Sequence, residues 1–235
     1  MPKLGLALPV SSRSASELMR SLKDLIDDKE PAWPLVQQWI ADASVDVDVL
    51  PTTPKTGGAA LHAMQVTTRS PMGAIVYSSA GIIIDSGWLR VPGAGGHARF
   101  QRSLPEWNRG RSEGYLLVAD DAVGGFFAIN GGALGTDRGN IYYYAPDSLK
   151  WEPCELGYSD FLVWSMSGKL SEFAETLRWK GWQLEVKALN GDQSINFYPF
   201  LFAKGPPLKK RSRKVVSVTE QYELQLDMQR QLDAQ

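Results

Sequence analysis

Gly93-Ala94-Gly95-Gly96-His97-Ala98 fits G-x-G-x-x-A, the turn with which dinucleotide-binding folds cradle a pyrophosphate. That chemistry needs a helix starting directly behind the turn, so that free backbone N–H groups face the phosphates. Here the chain runs on through Arg99-Phe100-Gln101 to Pro105 with no amphipathic helix. The segment therefore reads as a flexible hairpin loop, and no cofactor is assigned.

Metal chemistry finds little support. His62, His97 and Cys154 are far apart, and no pair has the short ligand spacing of a transition-metal site. Asp120 and Asp121 could hold a hard cation, but adjacent aspartates between two strand-like runs are more often turn residues that accept backbone N–H bonds. No metal is assigned. A serine nucleophile fares no better, because Ser79 has Tyr77 where the nucleophile elbow G-x-S-x-G needs its first glycine. With two histidines available as base and no paired nucleophile, no catalytic residue is assigned, and the balance favours a binder over an enzyme.

Lys209-Lys210-Arg211-Ser212-Arg213-Lys214 is the one strong charge run. It lacks interleaved aromatics, and the chain's 25 basic and 26 acidic side chains leave a net charge of -1. Such a chain has no global field to hold a polyanion, so nucleic acid is not the expected partner and the run reads as a solvated loop. Of the tryptophans, Trp39, Trp164, Trp179 and Trp182 sit on apolar stripes or at helix ends and read as core. Trp88 and Trp107 lie beside glycine- or proline-rich loops and read as candidate exposed contacts.

These residues must be positioned by elements of two kinds. Residues 1–15 lack periodicity and are expected to be a disordered extension; residues 16–235 read as a single domain. Ser16 would cap a first helix carrying Leu18, Leu22, Leu25 and Ile26, which Pro31 ends. Pro34 opens a second helix whose buried stripe is Leu35, Val36, Trp39, Ile40 and Ala43. Residues 51–60 have loop composition, and Gly73–Tyr77 and Gly81–Asp85 read as strands, continued by Trp88–Val91.

Residues 114–153 alternate strand-like runs with turns. Tyr115–Ala119, Gly124–Ile129, Asn140–Ala145 and Leu149–Glu152 are separated by Asp120-Asp121, Asn130-Gly131-Gly132 and Pro146-Asp147. This spacing predicts an antiparallel meander. Short helices follow on Phe161-Leu162-Trp164, on Leu170-Phe173-Leu177 and on Trp182-Val186-Leu189. Ser194–Phe202 reads as the last strand, and a terminal helix is expected over about 217–232. Helices grouped before and after one block of strands give an α+β fold, a central meander flanked by N-terminal and C-terminal helices. One cysteine permits no internal disulfide, and no apolar run approaches the roughly 18–20 residues of a membrane span, so a cytoplasmic protein is expected.

Over residues 19 to about 228 the sequence resembles an uncharacterised bacterial family of proteins of unknown function. The blocks that carry the resemblance are Asp28–Val36, Gln65–Pro71, Ser103–Trp107, Gly124–Gly132 and Ser194–Pro199. More distantly, the glycine–phenylalanine strand, Ile141-Tyr142-Tyr143-Tyr144, Trp151 and Tyr158-Ser159-Asp160-Phe161-Leu162 resemble in order the SUKH superfamily. That resemblance implies a SUKH-like α+β fold and a role in binding another protein, as immunity proteins bind the toxins they neutralise. The expected contact surface is the loops at 92–97, 103–108, 120–121 and 130–138. Trp107 would be its anchor, with Trp88 a second aromatic contact and Asp120, Asp121, Asn130 and Arg138 its polar groups. The alternative is a small-ligand-binding protein or enzyme with its pocket between the meander and the tryptophan-rich helices, and with Asp120, Asp121 and Asn130 as its polar groups.

Overall fold

The computed structural model describes residues 19–111 and 113–234. The predicted disorder of residues 1–15 and the Ser16 cap lie outside them. The chain folds as α1 (Leu22–Leu25), α2 (Trp33–Ala41), β1 (Val47–Leu50), α3 (Pro54–Met64), α4 (Pro71–Ser78), β2 (Gly81–Ile84), β3 (Leu89–Pro92) and α5 (Leu104–Asn108). It continues as β4 (Tyr115–Asp121), β5 (Phe126–Asn130), β6 (Asn140–Ala145), β7 (Lys150–Gly157), α6 (Tyr158–Ser165), α7 (Lys169–Phe173) and α8 (Trp182–Lys187). The chain ends with β8 (Gln193–Tyr198), β9 (Ser212–Ser217) and α9 (Val218–Asp233).

Strands β1 to β7 form one antiparallel sheet in chain order, and β8 and β9 form a separate antiparallel pair. The α+β class and the meander expected from the alternating segments are both present. Alternation gives the sheet two buried faces. Val118, Phe127, Ile141 and Tyr143 pack on one side with α2, α6, α7 and α8. Leu117, Phe126, Ala128 and Tyr144 pack on the other with Trp107 of α5 and with Val218 and Tyr222 of α9. The terminal helix starts at Ser217, whose hydroxyl accepts the Glu220 N–H at 3.0 Å.

Several local expectations are corrected. Residues 54–64 are a helix, started by the Thr53 cap and by Pro54 in its first turn. Gly57 serves the packing of that helix, since a Cβ there would stand 2.1 Å from the Tyr77 carbonyl oxygen of α4. The run 73–77 is also helical, because Ser70 caps it and Pro71 fixes its first turn. Buried β-branched residues cannot tell a helix from a strand when both sides are covered. The first helix is a single turn that ends before Ile26, and Leu35 is exposed although the stripe placed it inside. The last strand is β9, which takes in half of the basic run predicted as loop; β8 ends at Tyr198.

Three corrections bear on function. The Gly93 segment is a packed connection from β3 to α5 and no flexible hairpin between sheet strands. Its N–H groups are already used: Gly93 and Gly95 donate to the Ala80 carbonyl and Ala94 to that of Ser79. Asp120 and Asp121 are the last residues of β4, the turn lying just beyond them. Trp88 and Trp107, expected at the surface, are 1% and 2% exposed.

Candidate functional site

The residues singled out from sequence do not share one surface. Asp120 and Asp121, consecutive in β4, point to opposite faces of the sheet. On the α9 face, Asp120 accepts from Arg90 Nε of β3 at 2.8 Å and also pairs with Arg102. The Arg90 guanidinium donates on to the carbonyls of Gln193 at 2.9 Å and Asp121 at 2.7 Å. This buried Arg–Asp–Arg cluster ties β3, β4, β8 and the segment before α5 together. Burial lowers the Arg102 pKa and the Asp120 carboxylate opposes that shift, which marks a structural tie in a dry interior.

Trp107 packs inside the same layer, 5.7 Å from Tyr222 and 6.2 Å from Phe126, with the Arg102 and Arg111 guanidinium groups against its ring. Trp88 lies on the opposite face, edge-on to Trp182 at 5.1 Å. Asn130 is buried and organises its loop. Its Oδ1 accepts from Gly132 and Leu134, and its Nδ2 donates to the Gly135 carbonyl at 2.9 Å. Of the six, Arg138 alone is exposed.

A ring-lined recess lies between the edge strand β7 of the meander and helices α6 and α7, without Asp120, Asp121 or Asn130 in its lining. Tyr143, Glu152, Pro153, Cys154, Leu156, Phe161, Trp164 and Phe173 line it, around a volume of about 170 Å³. Strand register builds its floor. Tyr143 of β6 is the cross-strand partner of Glu152 of β7, so ring and carboxylate stand side by side on one face. Tyr142 still pairs with Pro153, but the register then shifts before Asn140 meets Gly157, and Glu155 in that stretch adopts a left-handed backbone with φ 56°. The irregular edge that results opens the wall at Cys154 and Leu156 and blunts β7 against further pairing.

Three rings form a box. Phe173 stands at 76° to Tyr143 with centroids 5.0 Å apart, and at 79° to Trp164 at 5.2 Å. Phe161 lies at 25° to Trp164 at 5.9 Å and closes the back. Phe173 is 39% exposed at the opening, whereas Phe161 is buried and Trp164 half-buried. The Tyr143 phenol is pinned from behind by the Asp121 carboxylate at 2.7 Å. Burial first, then Asp121, Asp147 and Glu152, push that phenol well above its ordinary range. Burial and Glu152 push the Cys154 thiol up to about 12, which leaves it almost wholly protonated at neutral pH.

The other residues with chemical potential are occupied elsewhere. Ser79 Oγ donates to the Ile75 carbonyl at 2.9 Å, and His97 Nδ1 accepts the Arg99 N–H at 3.1 Å. Among the described residues no three His, Cys, Asp or Glu side chains group so as to hold a metal ion, and no helix is long and apolar enough to cross a membrane. Sequence reading passed over Tyr143, Glu152, Phe161 and Phe173 and assigned Trp164 to the core. The available signal was the alternation in Ile141-Tyr142-Tyr143-Tyr144, which turns Tyr143 away from its two tyrosine neighbours.

A family model described as "Protein of unknown function DUF2625" matches residues 22–221, which takes in the whole meander, the recess and the start of α9. The chain belongs to the DUF2625 family. Among similar proteins, "Putative uncharacterized protein YbfG" of Escherichia coli is 44% identical over 213 residues, covering 89% of this chain and 97% of the relative. An "Uncharacterized protein" of Haemophilus influenzae is 37% identical over 213 residues, covering 87% and 93%. No solved structure matches. The uncharacterised bacterial family expected from the sequence blocks is thus identified, and the DUF2625 match spans the elements on both sides of the recess.

Proposed function

We propose that the chain is a non-enzymatic recognition module that binds another protein by taking one of its side chains into the recess of β7, α6 and α7. The observation that carries this reading is Phe173, an exposed ring braced at near right angles by Tyr143 and Trp164. Rigid aromatic anchors that need no reordering are the usual centres of binding energy at protein interfaces. The recess, at about 170 Å³, is smaller than the roughly 300–1,000 Å³ of pockets that bury whole small ligands, and suits a single side chain. Its protonated thiol supports binding over covalent chemistry.

In its finer form the module is of immunity or regulatory type, acting in the cytoplasm on a partner such as a toxin. The SUKH-like order of strands and aromatic motifs supports that role, and the single cysteine is in keeping with the compartment.

The test is affinity capture with the full chain, followed by calorimetry with each purified partner. Wild type is compared with Phe173→Ser and with Leu184→Ser, an exposed control on α8 outside the recess. The expected result is a partner whose affinity falls at least about tenfold with Phe173→Ser and is unchanged with Leu184→Ser. Partners that bind Phe173→Ser as tightly as wild type would overturn the reading.

A further inference from the structure

The tryptophans of this fold are repeatedly met by guanidinium groups. Arg102 and Arg111 lie 4.9 and 4.8 Å from the Trp107 ring, Arg178 lies 4.6 Å from Trp88 and 4.0 Å from Trp182, and Arg213 lies 4.9 Å from Trp179. Trp33, Trp39, Trp151 and Trp164 have no such cation over them among the described residues, and of these four it is Trp164 that lines the recess. It stands in the most ring-rich corner of the molecule, and among the described residues no Lys or Arg lies over it or over Tyr143, Phe161 or Phe173.

We infer that the recess is a seat for the guanidinium of an arginine side chain presented by a partner protein, with Trp164 and Tyr143 as aromatic walls and Glu152 as the counter-charge at its rim. This rests on the recess being the partner-binding site. A cation is attracted to ring faces by their quadrupole, most strongly where water is excluded. Glu152, held beside Tyr143 by strand register, is exposed and receives one hydrogen bond, from Ser148 Oγ at 3.0 Å. After burial, the influences that raise the Tyr143 phenol come from the carboxylates of Asp121, Asp147 and Glu152, neighbours whose sign suits a cation. Arginine is the side chain whose flat, weakly hydrated cation both stacks on rings and donates to a carboxylate in plane.

The experiment titrates the isotope-labelled full chain with N-acetyl-arginine methylamide and with its neutral isostere, N-acetyl-citrulline methylamide, following the Trp164 indole N–H by nuclear magnetic resonance. The arginine probe is expected to shift that signal saturably, and the citrulline probe to bind about tenfold more weakly. Glu152→Gln, a change at an exposed position, should bring the two probes together. Equal binding of both probes to wild type, or an arginine probe that leaves Trp164 unmoved, overturns the cationic occupant. If either occurs while Phe173→Ser still loses the partner, the recess remains the docking site and only the guanidinium falls. If the arginine probe binds and the partner is indifferent to Phe173→Ser, the cation seat stands and protein docking there falls.

Discussion

The Tyr143 hydroxyl donates to Asp121 Oδ2 across 2.7 Å, joining the wall of the recess to the buried end of β4. The other carboxylate oxygen of Asp121 accepts the N–H groups of Val123 at 2.9 Å and Gly125 at 2.7 Å. One side chain therefore holds both the turn between β4 and β5 and the ring at the floor of the recess. Gly125 has to be small here, since a Cβ would stand 2.2 Å from both Asp121 Oδ2 and the Tyr143 hydroxyl.

Tyr143→Phe keeps the ring and removes the donor, leaving a buried carboxylate oxygen without its partner. A loss of about 1–3 kcal/mol in unfolding free energy is expected, read from urea denaturation. The ring wall remains, so the response of Trp164 to the arginine probe should survive. An unchanged urea midpoint would show that Asp121 does not depend on this hydroxyl.

Asp121 also sets a pH dependence. Burial, the largest influence, raises its carboxyl above the ordinary 3.8, against the hydrogen bonds from Gly125, Tyr143 and Val123 that lower it. The folded chain thus holds this proton more firmly than the unfolded chain does. The stability that results is fully present below the unfolded value and is lost as pH rises through the raised folded value. The stability of wild type relative to Asp121→Asn should therefore fall as pH rises from about 3.5 to 7. A difference that grows with pH would show that the donated bonds outweigh burial.

Asp120→Ala removes the carboxylate shared by Arg90 and Arg102 and leaves two buried cations without their counter-charge. Breaking a buried pair in this way costs about 3–5 kcal/mol. Thermal and urea unfolding should show a change of that size. A change below about 1 kcal/mol would mean that water reaches the cluster.

Trp107→Ala should behave as a core mutation, because the ring is buried between Phe126, Tyr222 and two guanidinium groups. The expected loss is about 3–5 kcal/mol. Chemical denaturation checks it. A near-neutral Trp107→Ala that nonetheless loses a partner would return this residue to the binding surface.

With its thiol pushed up to about 12 from an ordinary 9.0, Cys154 carries on the order of a thousandfold less thiolate at pH 8 than an unperturbed cysteine. Alkylation of the folded chain by iodoacetamide should be correspondingly slow and should accelerate with pH up to about 12. Unfolding in urea should restore ordinary reactivity. Rapid labelling of the folded chain at pH 8 would contradict this account of the recess.

The amino-acid sequence by itself determined the meander. Residues 114–153 alternate strand-like runs with turns, and those turns carry Gly, Asn, Asp and Pro, whose backbone preferences act locally. It likewise determined the second helix and the terminal one, where proline or serine marks the start. Helices α3 and α4 were not legible as such: Gly57 helped residues 51–60 read as loop and the β-branched run 73–77 read as a strand, whereas Gly57 and Gly73 let backbones approach, a property of the neighbour and not of the local segment. Only the tertiary structure decided that Asp120, Asp121, Trp88 and Trp107 face inward. Their partners Arg90, Arg102, Tyr143 and Tyr222 come from other elements, and burial of a polar group follows from whether such a partner arrives. The recess belongs to the same class. Its rings come from β6, α6 and α7, and a shift of register at β7 opens it, so its shape is fixed by contacts that no stretch of sequence contains.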